Sequence, residues 1–146
     1  MLELLLTLTI ATILLGIAVP RLMESNDRVA LQSARSRATV AVSAARAAAT
    51  RFGRVSTLVL DVAGDRLRVE VDTSSLGGQP PVLLREVDLW TDLGVNLRAS
   101  DPVICFDPRG IAVASGPCTG QPVVIRLDIN GTRDSVLVSS TGRVAP

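Results

Sequence analysis

The chain has 146 residues, about the size of a single domain. Apolar residues make up 47% and charged residues 20% of the sequence, which fits a folded protein and excludes a disordered one. The net charge is +1, every basic residue is arginine, and lysine, histidine and tyrosine are absent. Because these side chains supply most general bases and activated nucleophiles, we expect no catalytic residues and no enzyme activity.

The small net charge hides an uneven distribution along the chain. Residues 1–54 contain seven arginines and three acids, a balance of +4, whereas residues 55–146 contain eight arginines and eleven acids, a balance of −3. A surface formed by the second segment is therefore expected to be mildly acidic.

The first segment of the chain is strongly apolar. Residues 4–19 carry no charge, with Glu3 before them and Pro20 after them. At a rise of about 1.5 Å per residue, the segment 1–23 is long enough for a hydrocarbon core of about 30 Å, so we predict a retained membrane helix. A cleaved signal peptide is one alternative, although a basic start and a clear cleavage site are missing. A buried helix of a soluble protein is the other, although such helices seldom contain so long an uncharged run.

The next segment reads as an amphipathic continuation of this helix over residues 24–54. It lacks proline and glycine from residue 27 to 52, and Gly53 stands where a helix C-cap is expected. Small side chains recur at spacings of three and four: Ala30, Ala34, Ala38, Ala41, Ala45 and Ala48, with Phe52 at the end. This stripe favours close packing against a sheet, the alternative being an alanine-rich helix that packs weakly. Pro20 is expected to bend or soften the joined helix.

Beyond Gly53 the apolar period changes from 3.6 to 2, which indicates β-strands. Strands 57–62 and 66–72 should form a hairpin around Ala63-Gly64-Asp65, and Asn130-Gly131 predicts a second hairpin that begins with strand 123–129. Further strands are expected at 82–90 and 102–106, and glycine- and proline-rich loops at 74–81 and 115–122.

These elements predict an α+β fold in which a long N-terminal helix, membrane half followed by amphipathic half, packs on a C-terminal antiparallel β-sheet head. The corresponding segments are 1–23 for the membrane and assembly helix, 24–54 for its continuation and 55–146 for the head.

Cys105 and Cys118 are the two cysteines of the chain. Without histidine they cannot complete an ordinary four-ligand zinc site, so they form either a disulfide or two buried thiols. A head outside the cytoplasm favours the disulfide, which would stabilise by about 3 kcal/mol in the chain-entropy model. Asp61, Asp65 and Asp72 are not spaced like a calcium loop, and we expect neither a metal nor a cofactor.

Several of these features together resemble the type IV pilin-like proteins: Glu3, the apolar helix, Pro20, the amphipathic helix and the β head. The stretch LELLLTLTIATILLGIAVP looks like the assembly segment of that superfamily. The stretches CFDPRGIAVASGPC and VVIRLDINGTRDSVLVSSTGRV are similar to the GspH/FimT class of minor pilins and pseudopilins.

The resemblance implies roles for both unusual residues of the apolar segment. Glu3 would pair with the N-terminal amine of a neighbouring subunit, since pairing offsets the cost of burying each charge. Pro20 would mark where the helix loosens as it leaves the bilayer. The implied location is the bacterial inner membrane, single-pass with a periplasmic head, and then the filament.

The implied partners are other pilin or pseudopilin subunits, the inner membrane with its assembly platform, and a prepilin peptidase. The peptidase would cut a leader that ends in glycine, and the new N-terminus would be methylated. This sequence begins Met-Leu-Glu without that leader, so either the natural start lies further upstream, the chain has been trimmed, or the protein is not processed in this way.

The implied function is that of a minor subunit that assembles into, and primes or caps, a type IV pilus or a type II secretion pseudopilus. The alternative is a FimT-like minor pilin that binds DNA for transformation, with Arg126, Arg133 and Arg143 as candidate contacts. In that subclass the tail carries Gly-Arg-x-Arg, and here only Gly142-Arg143 is present. The acidic balance of the head opposes DNA binding. A protein that acts alone in solution is the remaining alternative.

Overall fold

The structure, a computed structural model, describes residues 2–71, 80–114, 116, 118 and 122–145, without the side chains of residues 2, 5, 14–20, 22 and 23. Asp72 and most of the predicted loops over residues 74–81 and 115–122 lie outside the described residues.

A single long helix, α1, extends from Leu2 to Phe52 and passes through Pro20. It ends as predicted, because Gly53 adopts a φ of 62°, the left-handed conformation that favours glycine at a C-cap. In the part of the chain that the structure describes, no helix combines the length and apolarity needed to cross a membrane. The membrane span over residues 1–23 and the loosening at Pro20 stay predictions.

The small-residue stripe of α1 is the face that packs on the head. Ala34, Ala38 and Ala45 are completely buried and Ala41 is nearly so, which confirms close packing of the helix. Phe52 is 40% exposed, so its inclusion in the stripe was wrong. Since alanine ends at Cβ, the strands can approach the helix backbone closely along this face.

The described residues of the head form nine strands in two antiparallel sheets: β1 Ser56–Asp61, β2 Arg66–Val71, β3 Val82–Asp88, β4 Asn96–Ala99, β5 Val103–Phe106, β6 Ala112–Val113, β7 Val123–Ile129, β8 Thr132–Val138 and β9 Val144–Ala145. Sheet one has the order β3-β2-β1-β5-β6 and sheet two the order β4-β7-β8-β9. Helix α1 contacts β1 and β2 of sheet one and β7 and β8 of sheet two. The α+β fold is confirmed, with two sheets under the helix.

Both predicted hairpins are present. The first joins β1 to β2, with Asp61 opposite Arg66, and the second joins β7 to β8, with Ile129 opposite Thr132. Asn130 and Gly131 have φ values of 49° and 84°, the pair of positive angles that a two-residue hairpin turn requires.

The strand predicted over residues 82–90 is shorter than expected. β3 stops at Asp88, and Leu89–Leu93 form a short helix, α2. The Asp88 carboxylate accepts the backbone N–H of Thr91 at 2.8 Å and thereby caps the helix N-terminus. This local cap ends the strand, whereas the apolar alternation alone continued it to Trp90.

The core lies between α1 and the inner faces of the two sheets. One polar group of this core is Ser56, which is fully buried and whose Oγ donates to the Ala45 carbonyl oxygen at 2.6 Å. Cys105 and Cys118 form a disulfide and are both buried, which decides between the two states that the sequence allowed.

Candidate functional site

The structure divides the three arginines that the sequence suggested as DNA contacts. Arg126 lies on β7 and Arg133 on β8, whereas Arg143 precedes β9 and lies beside Ser139. Ser139 lies six positions after Arg133, which corresponds to about 20 Å along a strand. Arg126 and Arg133 therefore share a surface that Arg143 does not reach.

Arg126 and Arg133 belong to a groove on the face of sheet two that points away from α1. The groove has a volume of about 200 Å³, and we call it the outer-face groove; its lining is Arg98, Arg126, Leu127, Asp128 and Arg133. The register explains the cluster, because Arg98 lies opposite Arg126 and Asp128 lies opposite Arg133. Residues two apart on a strand share a face, so Arg126 and Asp128 lie on the same face of β7, and the residues opposite them lie on that face too.

Positive charge in this groove exceeds negative charge. Arg133 Nε donates to Asp128 Oδ2 at 2.8 Å. Arg98 and Arg126 are exposed and form no ion pair with any residue that the structure describes. Like charges directly opposite each other on adjacent strands repel, so this pair is an electrostatically unfavourable arrangement in the absence of an anion.

Arg143 belongs to a second group of arginines, Arg46, Arg109 and Arg143, which we call the tail cluster. Arg46 and Arg109 line a groove of about 240 Å³ between α1 and the turn before β6. Arg46 Nε donates to the Gly110 carbonyl oxygen at 3.0 Å, and a Cβ built on Gly142 would lie 3.3 Å from the same Nε. The buried Gly142 thus brings its exposed neighbour Arg143 to this end of the head.

The guanidinium of Arg109 is already engaged within this cluster. Its Nε donates to Asp107 Oδ2 at 2.9 Å. The other oxygen, Oδ1, accepts the backbone N–H groups of Ile111 and Arg109 at 3.0 and 2.9 Å. Led by the Ile111 N–H, these bonds to the charged form hold the pKa of Asp107 below its usual 3.8.

A third feature is a groove of about 410 Å³ beside α2 that contains the single tryptophan of the chain. Trp90 is 55% exposed there, close to Asp65, Asp88 and Asn96. Asn96 lies opposite Asp128 of the outer-face groove, so the two grooves adjoin each other at this residue pair.

The predicted assembly residues lie on α1. Glu3 is exposed, and so are apolar side chains that follow it: Leu4, Leu6, Leu8, Ile10 and Ile13. The backbone places Pro20 inside the helix. None of these apolar side chains belongs to the described core, so the core does not require this part of α1.

Sequence reasoning missed three arginines of the two clusters. Arg98 had a signal, since Asn96-Leu97-Arg98-Ala99 alternates apolar and polar residues like a strand. Arg46 and Arg109 had none, because they come together through the packing of α1 against a turn 64 residues later.

The fold has known counterparts. Two crystal structures of the type IV minor pilin FimU of Pseudomonas aeruginosa strain PAO1 resemble this chain. One has a TM-score of 0.61 at 20% identity and covers 81% of this chain and 88% of its own. The other has a TM-score of 0.58 at 21% identity and covers 79% and 90%. No protein-family model matches the sequence, and no curated protein matches it. The likeness establishes a shared pilin fold.

Proposed function

We propose that this chain is a minor subunit of a type IV pilus or of a type II secretion pseudopilus, of the GspH/FimT class, and that it primes or caps the filament. The observation that carries the proposal is the combination of the pilin fold with an apolar helix start that the head leaves exposed. Because the core does not include the most apolar segment of the chain, that segment offers an apolar surface to other subunits.

Assembly would bury that segment against the helices of neighbouring subunits. Leu4 and Leu8 are 72% and 64% exposed, so each has most of its apolar surface to lose from water. Burial of one such side chain is worth about 1.5–3 kcal/mol. Glu3 would enter the same apolar surroundings and pair with the N-terminal amine of a neighbour, which sets the axial register of the helices.

The disulfide supports a head outside the cytoplasm. Cys105 and Cys118 are bonded, and disulfides persist in oxidising compartments such as the periplasm. Other pilin subunits and the assembly platform are therefore the expected partners. Processing by a prepilin peptidase belongs to the proposal if a leader precedes Met1.

The test of assembly is the variant Glu3→Ala, expressed in place of the natural protein. We expect it to be made and folded but lost from sheared filaments, because the helix can no longer form its pair. Glu24→Ala is the matched control, since Glu24 is also an exposed acid of α1 but lies beyond the apolar segment. Equal incorporation of Glu3→Ala and the natural chain would contradict the pairing role.

Priming has a signature of its own. Deletion of a priming subunit lowers the number of filaments per cell while each filament keeps its usual length, because elongation uses other subunits. Deletion of a subunit that elongates the filament shortens it instead. Counting and measuring filaments by electron microscopy separates the two roles.

Capture of DNA is a second candidate function. The observation that favours it is the outer-face groove, where Arg98, Arg126 and Arg133 face a single acid, Asp128. Neutralisation of phosphates by arginine dominates nucleic-acid affinity and makes it dependent on salt. Affinity for DNA measured over a salt series tests this function, and undetectable binding near physiological salt would contradict it.

A further inference from the structure

The sequence and the fold give different answers about which arginines meet an anion. By sequence, Arg143 is the residue that matches a phosphate-binding tail. In the structure, Arg98 and Arg126 lie directly opposite each other in the outer-face groove, and neither forms an ion pair with a described residue. The availability of each guanidinium group therefore decides between the two clusters.

In the tail cluster, two of the three arginine side chains each use one N–H for an internal bond. Arg46 Nε is bonded to the Gly110 carbonyl oxygen and Arg109 Nε to Asp107. Arg143 alone among the three forms no such side-chain bond within the described part of the chain. A single exposed guanidinium makes a weak anion site, because one surface charge is screened by water and salt.

In the outer-face groove, two guanidinium groups are available and face the same space. Arg98 and Arg126 occupy directly opposite positions on β4 and β7, where side chains lie about 4.5–5.5 Å apart at Cβ. Their mutual repulsion is removed when an oxyanion lies between them. The guanidinium fork also matches phosphate geometry with two parallel hydrogen bonds. Arg133, 81% exposed beside Asp128, extends the positive strip toward the Asn130-Gly131 turn.

The surroundings of the outer-face groove favour a single strand of nucleic acid over a duplex. Trp90 lies in the adjoining groove with Asn96, and Asn96 is two residues from Arg98 on β4, about 7 Å away. Proteins that bind single strands combine a positive track for the phosphates with exposed aromatic rings on which unpaired bases stack. A duplex keeps its bases stacked inside the helix and therefore offers no unpaired base to stack on Trp90.

We propose that single-stranded nucleic acid binds across the outer face of sheet two, with its phosphates on Arg98, Arg126 and Arg133 and a base stacked on Trp90. This inference rests on the second candidate function, DNA capture, and moves its site from the tail to the sheet. Arg143 is outside this site.

The test uses the full chain in non-ionic detergent and a dye-labelled 20-nucleotide oligothymidine, with binding measured by fluorescence anisotropy over a salt series. We expect Arg98→Ala/Arg126→Ala to weaken binding at least tenfold and to reduce the slope of log affinity against log salt by about 1.4, which is about 0.7 for each lost phosphate contact. Arg143→Ala is the matched control and should change affinity less than twofold. Arg98→Gln/Arg126→Gln replaces the alanine pair if the latter fails to fold.

Trp90 supplies an independent readout, because the chain contains no other tryptophan and no tyrosine. Unlabelled oligothymidine should quench the fluorescence of Trp90. Trp90→Ala should lower the affinity for the single strand severalfold. A duplex of equal length should bind less tightly than the single strand. Vesicles containing phosphatidylglycerol should bind no more tightly than neutral vesicles.

The outcomes separate the site from the function. Loss of binding in Arg143→Ala with the double variant unaffected overturns the proposed site and leaves DNA capture standing. Absence of binding by the natural chain overturns both. Equal affinity for duplex and single strand, or preferential binding to anionic vesicles, overturns the single-strand assignment.

Discussion

Arg46 on α1 donates a hydrogen bond from Nε to the carbonyl oxygen of Gly110 at 3.0 Å, across 64 residues of sequence. Gly142 lies against this contact and has a φ of 72°. A Cβ at Gly142 would lie 3.0 Å from both the Gly110 oxygen and Phe106 Cε1. The glycine of the tail is therefore required by packing, independently of any ligand of Arg143.

Replacement of Gly142 by alanine tests this requirement. We expect a loss of about 2–4 kcal/mol in the free energy of unfolding, since a left-handed backbone costs about 1–2 kcal/mol and the contacts add to it. Gly131→Ala is the control, because its φ is 84° while a Cβ there meets nothing within 4 Å. Urea unfolding measures both variants, and equal losses would contradict the packing argument.

Acid should destabilise the head through Asp107. Hydrogen bonds led by the Ile111 N–H lower its folded pKa below 3.8, so the folded state binds fewer protons than the unfolded state in that range. The stabilisation is present above the unfolded pKa and is lost as the pH falls through the lowered folded value. Asp61 and Asp88 act in the same direction, led by the N–H groups of Gly64 and Thr91.

We therefore expect the urea midpoint to fall steeply below about pH 4, the ordinary range of aspartate titration. Asp107→Asn retains an acceptor oxygen but cannot titrate, so its midpoint should depend less on pH than that of the natural chain. An identical pH profile for the two proteins would exclude Asp107 as a source of the dependence.

The disulfide should contribute substantially to stability. Cys105 and Cys118 are thirteen positions apart, and closing a loop of about this length stabilises by about 3 kcal/mol in the chain-entropy model. Replacement of both cysteines by alanine should lower the urea midpoint by a corresponding amount. Reductant should have the same effect on the natural chain and no effect on the variant. A midpoint that is insensitive to reductant would contradict the prediction.

The alanine stripe of α1 should tolerate little added volume. Ala45 is completely buried, and its carbonyl oxygen accepts the Ser56 hydroxyl, so Ala45→Leu should cost about 1–3 kcal/mol by forcing helix and sheet apart. Ala47 lies exposed two residues later, and Ala47→Leu should change stability by less than about 0.5 kcal/mol. Thermal unfolding of both variants measures the difference; equal midpoints would argue against tight packing at Ala45.

The parts of the fold that the sequence predicted are those with local signals. Gly53 marked the helix end, and Asn130-Gly131 marked a hairpin, because each depends on the backbone preference of one or two residues. The division into two sheets has no such signal. It depends on pairings such as β1 with β5 and β4 with β7, which join segments far apart in the chain.

The candidate site shows the same division. The sequence suggested Arg126, Arg133 and Arg143 as one patch, and the register of the β7–β8 hairpin places Arg126 and Arg133 on one face. Arg98 joins them only through the pairing of β4 with β7. Arg143 was grouped with them by its place in the sequence, and the pairing of β9 with the far end of β8 separates it from them.

The position of α1 across both sheets also determines how the head responds to tension. Near one end of the packed segment, Asn130 Nδ2 donates to Asp27 at 3.2 Å, and near the other, Ser56 is bonded to Ala45. A pull along the helix axis loads the whole interface in shear, so its contacts must fail together and cannot peel apart one by one. Resistance to forced unfolding depends on the unfolding rate, and shared loading of this kind lowers that rate. The head is thus attached to its helix by contacts that a pull along the helix axis loads in parallel.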